Sequence, residues 1–311
     1  MTGKKQRELP AGMNLWRTNE LEGAGFSART IAALVRSGEL VRLRRGCYIR
    51  GSTWVAQKPV VRSRQLIAAH AHGTLSTSEG RMVYSHTSAA RLHRLFLWNV
   101  DDRVHITQAK TPSRVSHGRD VVPHTGSLKA DELVTIDGLP CTSLERTVVD
   151  CCLTLSYGQA LIIMDHALRL GASTGKLWEM CRSLAGRKGV LTLRRVLENA
   201  DAKSESPGET LTRDILQRLG IETPELQVAV ATSEGLHRID LAWRKKMVAL
   251  EFDGKVKYFD YAPTDEVIYR ERQREKALME QGWLFIRIQW RDLFNEQALK
   301  MRVLKALGIT S

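Results

Sequence analysis

Residues 238–258 read RIDLAWRKKMVALEFDGKVKY: two apolar runs around a charged turn, with three carboxylates, Asp240, Glu251 and Asp253, set inside the runs. A hairpin closed at Lys245-Lys246 puts Ile239 opposite Phe252, Leu241 opposite Leu250 and Trp243 opposite Val248, and every pair is apolar. A slip of one residue breaks all three pairs, so the pattern fixes the register. The other face pairs Arg238 with Asp253, Asp240 with Glu251 and Ala242 with Ala249. Arg238 and Asp253 are expected to form an ion pair. Asp240 and Glu251 are like charges with Cβ atoms about 5 Å apart, which is destabilising. Water, a neighbouring cation or a bound divalent metal has to compensate.

Working outward, residues 206–311 read as one unit. A helix begins at Ser206 as its cap, with Pro207 in the first turn and Glu209 just behind. Strands follow near 225–231 and 236–243, then the strand ending at Asp253. A helix capped by Thr264 and closed by Gly282 comes next, then a strand over WLFIRIQW and a last helix near 291–307. The preceding segment, DAKSES at 201–206, is polar and reads as a linker. Arg270, Arg272 and Arg274 interleave with Glu271 and Glu275, which fits a phosphate-facing helix or a salt-bridged solvated one.

The N-terminal end carries a different signal. Residues 1–60 hold 11 Lys/Arg against 4 Asp/Glu, whereas residues 201–311 hold 18 of each, within a chain of 311 residues and net charge +13. A positive field gathered at one end points to a polyanion, most simply nucleic acid. NLWRTNELEGAG reads as a short helix. FSARTIAALVRSG reads as a second, with Ser27 as its cap and Gly38 past its end. ELVRLRRGCYIRG alternates and turns at Arg45-Gly46. Helix, helix, hairpin suits a winged helix-turn-helix. Arg29 and Arg36 lie on the exposed side of the second helix, and Arg42, Arg44, Arg45 and Arg50 decorate the wing. Arginine neutralises phosphate while the helix enters the major groove.

Residues 61–200 form a mixed α/β middle region with helices over VRSRQLIAAHAHG, YSHTSAARLHRLFLW and YGQALIIMDHALRLG and a strand at RVHITQAK. TSLERTVVDCCLTL carries a Thr142–Glu145 capping box. Ser85, His86 and Asp150 lack a nucleophile-elbow pattern and are not read as a triad. Five cysteines without C-x-x-C are expected as reduced or buried thiols, and nine histidines without H-x-x-x-H or H-E-x-x-H give no zinc signature. No apolar run reaches the ~20 residues of a membrane helix. The basic start MTGKKQRELPAGMN has no apolar signal core. A cytoplasmic location is expected, with no membrane partner.

These residues carry two resemblances. A helical Glu, an Asp, then a second acid in the neighbouring strand, followed by helix and strand, resembles the PD-(D/E)xK nuclease fold. RIDLAW, VALEFDG and RERQREKALMEQGWLFIRIQWRDL are more closely similar to the very-short-patch-repair-like endonuclease domains of bacteria, over about 206–296. GELVRLRRGCY and its surroundings resemble the winged helix of the AbiEi-type antitoxins of type IV toxin–antitoxin systems. SHTSAARLHRL, VHIT and GLPCTSLERTVVDCC are similar to the middle region of actinobacterial proteins of that group. The first resemblance implies Mg²⁺-dependent phosphodiester hydrolysis, with Asp240 and Glu251 as metal ligands and catalytic residues, Glu209 as the helical acid, and Asp253 where the family has its lysine. Lys255 and Lys257 follow closely, and Lys257 shares a face with Glu251 if the strand continues past Gly254.

The expected architecture is therefore α+β and α/β in three parts: a winged helix at 1–60, a mixed region at 61–200, and a PD-(D/E)xK-like domain with a central mixed sheet at 206–311. The expected function is a bacterial protein that binds double-stranded DNA and cuts or nicks it, or once did. The alternative is an AbiEi-like antitoxin and transcriptional autorepressor, without turnover, that neutralises a cognate toxin.

Overall fold

The computed structural model describes residues 9, 15–74, 82–109, 118–254 and 265–309. Lys257 and Thr264 lie outside the described residues. The chain divides into two compact units, Met1–Leu95 with Asn99–Asp150, and Phe96–Trp98 with Cys151–Ser311. The sequence placed its breaks elsewhere, near 60 and at 201–206.

The first unit opens with β1 (Leu15–Arg17), α1 (Thr18–Gly23), α2 (Ala28–Ser37), β2 (Leu40–Arg44) and β3 (Cys47–Arg50). The three strands form a sheet in the order β1-β3-β2. Residues 15–17, read from sequence as the start of a helix, are extended, because the edge of β3 supplies main-chain partners and Trp16 turns inward. Ser27 caps α2 by accepting the Thr30 N–H at 3.2 Å. The wing turns at Gly46, whose φ of 73° suits a residue without a side chain. Leu21, Phe26, Ile31 and Leu40 close on Trp16 as the core of this winged helix.

After α3 (Gly51–Ala56) and α4 (Pro59–Thr74) come β4 (Met82–Tyr84), α5 (His86–Leu92), β5 (Val104–Gln108), β6 (Val121–Thr125), β7 (Leu133–Ile136) and β8 (Leu139–Thr142). Their sheet runs β6-β5-β4-β8-β7, with β5–β6 and β4–β8 parallel. Ile67 and Ala71 of α4 and Ala89 and Leu92 of α5 pack on Met82, Tyr84, Val104 and Ile106. Thr142, expected in a capping box with Glu145, lies in β8, and its hydroxyl is bonded to that of Thr147 at 2.7 Å.

The unit boundary falls within α6 (Leu144–Thr154). The second unit continues with α7 (Tyr157–Arg169), α8 (Thr174–Ser183), α9 (Val190–Asn199), α10 (Pro207–Arg218), β9 (Glu225–Thr232), β10 (Gly235–Trp243), β11 (Val248–Phe252), α11 (Asp265–Glu280), β12 (Leu284–Ile288), α12 (Trp290–Leu293) and α13 (Glu296–Ala306). The expected last helix is two helices, broken where Asn295 caps α13. The 201–206 stretch is no solvated linker. The Asp201 N–H donates to Asp165 of α7 at 2.8 Å, Ser204 is buried, and the Glu205 N–H donates to Glu209. Asp165 also accepts from Arg213 and Thr210 of α10, each at 2.8 Å, so α7 and α10 are tied by a buried ion pair. A pair of this kind is costly to break from one side.

The sheet of the second unit runs β12-β11-β10-β9, antiparallel except for the parallel pair β11–β12. The hairpin register is the one its apolar pairs dictate: Leu241 faces Leu250, Ala242 faces Ala249 and Trp243 faces Val248. The loop is longer than two residues. A 3₁₀ turn over Arg244–Lys246 is closed by Met247 at φ 54°, which preserves the register while relieving the unfavourable Lys-Lys loop. Leu241, Trp243, Val248, Leu250, Ile286 and Ile288 form one core with α10, α12 and α13. Ala242, Ala249, Val228 and Trp283 form another with Leu278 of α11. Ile239 belongs to this second core, not to the face of Leu241 where simple alternation puts it. The alternation breaks at Asp240, between the registered pairs Ile239–Val228 and Leu241–Leu226, beside Gln227 at φ 54°.

Candidate functional site

Two groups of side chains stand out, one in each unit. In the first, α2 buries Ile31 and leaves Arg29 and Arg36 exposed. Arg42, Arg45 and Arg50 of the wing are also exposed, and Arg50 stacks over Trp16 at 5.9 Å. Arg44 differs. It is half-buried and ion-paired with Asp120 at 2.6 Å, 76 residues away. The sequence placed it with the free wing arginines; Asp120 gives no local signal of this pairing. A bulge between Arg42 and Arg44 turns the strand there, so neighbouring arginines part direction.

In the second unit, acids from three elements, Asp240 of β10, Glu251 of β11 and Glu209 of α10, are linked by contacts or fields near the break in β10. Asp240 Oδ2 accepts the Phe252 N–H of β11 at 3.3 Å. Glu251 is buried on β11 and ion-paired with Arg274 of α11. Arg274 also lies in the field of Asp240. Asp240 and Glu251, expected opposite each other, are not among the registered pairs of β10 and β11, and the charge near both acids is that of a protein cation, Arg274. Burial lowers the guanidinium of Arg274 below its ordinary value, against the pull of Asp240. Burial raises the Asp240 carboxyl, opposed by the Phe252 N–H and Arg274. Glu209 is raised by burial and then by the charge of Asp240.

Glu209 is largely committed. The Glu209 N–H donates to Ser206 Oγ at 3.2 Å, and Glu209 Oε2 accepts from Glu205 N–H and Gln227 Nε2, each at 2.9 Å. This is a capping arrangement displaced by one residue from the usual box. Asp253, at the end of β11, donates its N–H to the Ile288 carbonyl at 2.7 Å and lies in the field of Arg287. Arg238, expected opposite Asp253, donates to Glu205 at 2.5 Å. Among the described residues, no three carboxylates bring their oxygens within 4.8 Å of one another. The sequence missed the role of Arg274, because its contact is 23 residues away and its neighbours Arg270 and Glu266 make the ordinary helical pair. Trp283 and Trp243 are buried core, and Trp290 packs edge-on against Phe252.

No helix among the described residues is long and apolar enough to cross a membrane. The chain is similar to two proteins of Mycobacterium tuberculosis named only as uncharacterized, MT2308 and Rv2248. Each is 25% identical over 269 residues, covering 84% of this chain and 90% of the relative. A crystal structure of the RV2827C protein from the same organism aligns with 17% identity, covering 71% of this chain and 85% of that one, at a TM-score of 0.37. A family model described as a transcriptional regulator, AbiEi antitoxin, matches residues 12–51, the span of β1 through β3. The N-terminal winged helix is thus of the AbiEi antitoxin, transcriptional-regulator type.

Proposed function

We propose that this protein binds duplex DNA through its winged helix as a regulator of the AbiEi antitoxin kind. The supporting observation is the exposure of Arg29 and Arg36 on α2 together with Arg42, Arg45 and Arg50 on the wing. Arginine suits this task because its charge is permanent and its planar fork matches phosphate and guanine edges. The same family match favours a cognate toxin protein as partner and control of the gene pair's own promoter. Binding to the chain's own upstream DNA, measured by fluorescence anisotropy, tests the reading. Nanomolar binding that exceeds binding to unrelated duplex supports it, and equal weak affinity for both counts against it.

A second reading applies to the second unit. The helix–meander–helix–strand order of α10, β9, β10, β11, α11 and β12, with Asp240 and Glu251 at its centre, favours a Mg²⁺-dependent endonuclease. The donor set fits. Mg²⁺ takes one or two carboxylates and fills its remaining positions with water and phosphate oxygens. Asp240 and Glu251 would hold it once Arg274 gives way, Glu209 and Asp253 would border it, and Lys257 would stabilise charge on the phosphate. When bound, the ion polarises the phosphate and activates water. Arg274, released from Glu251, would then meet the phosphate backbone. Plasmid nicking in Mg²⁺, lost in Asp240→Ala and Glu251→Ala, supports the reading; nicking that survives both variants, or no nicking at all, rejects it.

A further inference from the structure

Three histidines meet in the first unit. His86 opens α5, His105 lies on β5 and His124 on β6. Each offers a ring nitrogen, and the three nitrogens all lie within 4.8 Å of one another. Nδ1 of His105 and Nε2 of His124 are 3.0 Å apart. No other group of three His, Cys, Asp or Glu side chains among the described residues converges in this way.

His86 already has the outer contact of a ligand, and His105 has a carboxylate nearby. Nδ1 of His86 is bonded to Ser85 Oγ at 2.9 Å, and that hydroxyl accepts from Thr107 Oγ1 at 2.8 Å. A ligand bond from His86 would therefore be made by its Nε2. Nε2 of His105 lies 3.8 Å from Oδ1 of Asp101, beyond hydrogen-bond reach; that Oδ1 accepts the Arg103 N–H at 3.1 Å, and Oδ2 is ion-paired with the Arg103 guanidinium at 2.6 Å. Drawn into hydrogen-bond reach when a metal binds, a carboxylate so placed would fix the tautomer of His105 and strengthen it as a donor. His86 also holds a left-handed backbone, φ 50°, a costly conformation for a side chain of this size. Arg146, whose field reaches His86, is neutralised by Asp150 at 2.9 Å and Glu132 at 3.0 Å.

We propose that His86, His105 and His124 bind a divalent first-row transition-metal ion of the Zn²⁺ type. Three imidazoles supply borderline nitrogen donors and leave one tetrahedral position for water or an exogenous ligand. Mg²⁺ is excluded as the occupant by the same donors, since it takes oxygen. The rings of His86 and His124 are stacked at 3.5 Å with 13° between their planes. Lone pairs of parallel rings do not converge, so binding turns one ring about its broad χ2 torsion. The separation of the three positions along the chain, 19 residues at each step, is why no short motif announces the site.

The test uses the untagged full chain, stripped with chelator and titrated with Co²⁺. One equivalent of Co²⁺ should bind with the visible absorption of a tetrahedral site and be displaced by Zn²⁺. His105→Gln and His124→Gln should abolish stoichiometric binding, while His237→Gln, in the second unit, should leave it intact. Asp101→Asn keeps all three ligands and should weaken binding about 10–100-fold, so the proposal stays testable if a ligand variant fails to fold. Absence of the tetrahedral spectrum, or full-strength binding in both His124→Gln and Asp101→Asn, would overturn it.

Discussion

Arg274 answers two carboxylates at once, ion-paired with buried Glu251 and in the field of Asp240. Removing the cation leaves Glu251 buried without its partner. Arg274→Gln is therefore expected to destabilise the second unit by about 3 kcal/mol. Denaturant unfolding measures this, and a change within 0.5 kcal/mol, the ordinary range of surface substitutions, would show that water compensates instead. Asp240 and Glu209 give a pH signature of definite sign. Both are raised from ordinary values of 3.8 and 4.5 by burial. The folded state then holds protons that the unfolded chain has released. Their contribution is complete below the ordinary values and lost as pH rises through the raised ones. Unfolding free energy carries this fall from the acid range toward neutrality, and Asp240→Asn should make it shallower. An unchanged pH slope in the variant would contradict the assignment.

Among elements, the hairpin β10–β11 was the most legible from sequence, because the apolar pairs Leu241–Leu250 and Trp243–Val248 admit one register, although the third expected pair, Ile239–Phe252, is not among those formed. Caps at Ser27, Ser206 and Gly38 were equally readable, since each satisfies an end group locally. What stayed hidden depends on distant partners. β1 exists because β3 is beside it, Arg44 turns to Asp120, Ile239 changes face across from Gln227, whose φ is 54°, and three histidines meet from three elements. Two element-scale predictions follow from these contacts. Gly208 lies against the ring of Phe252, and an added Cβ would run into it. Gly208→Ala should cost about 1–3 kcal/mol by forcing α10 off β11, and unchanged stability would mean that the two separate freely. On the wing, Arg45→Ala should reduce the salt slope of DNA binding by about one, whereas Arg44→Ala should affect the slope less, its charge being engaged by Asp120. Equal loss in both variants would show that DNA displaces Asp120.

At the scale of the whole molecule, charge separates the two ends. The first 60 residues carry a large basic excess and the last 111 balance. A polyanion is thus drawn to the N-terminal end, and long-range attraction of this kind is screened by salt. The most direct test of the winged-helix account is the binding constant for duplex DNA measured across a range of salt concentrations, in the wild type and in Arg29→Ala/Arg36→Ala. The account predicts a linear fall of log K with log salt in the wild type and a slope shallower by about two in the double variant. Identical slopes in the two proteins would contradict it.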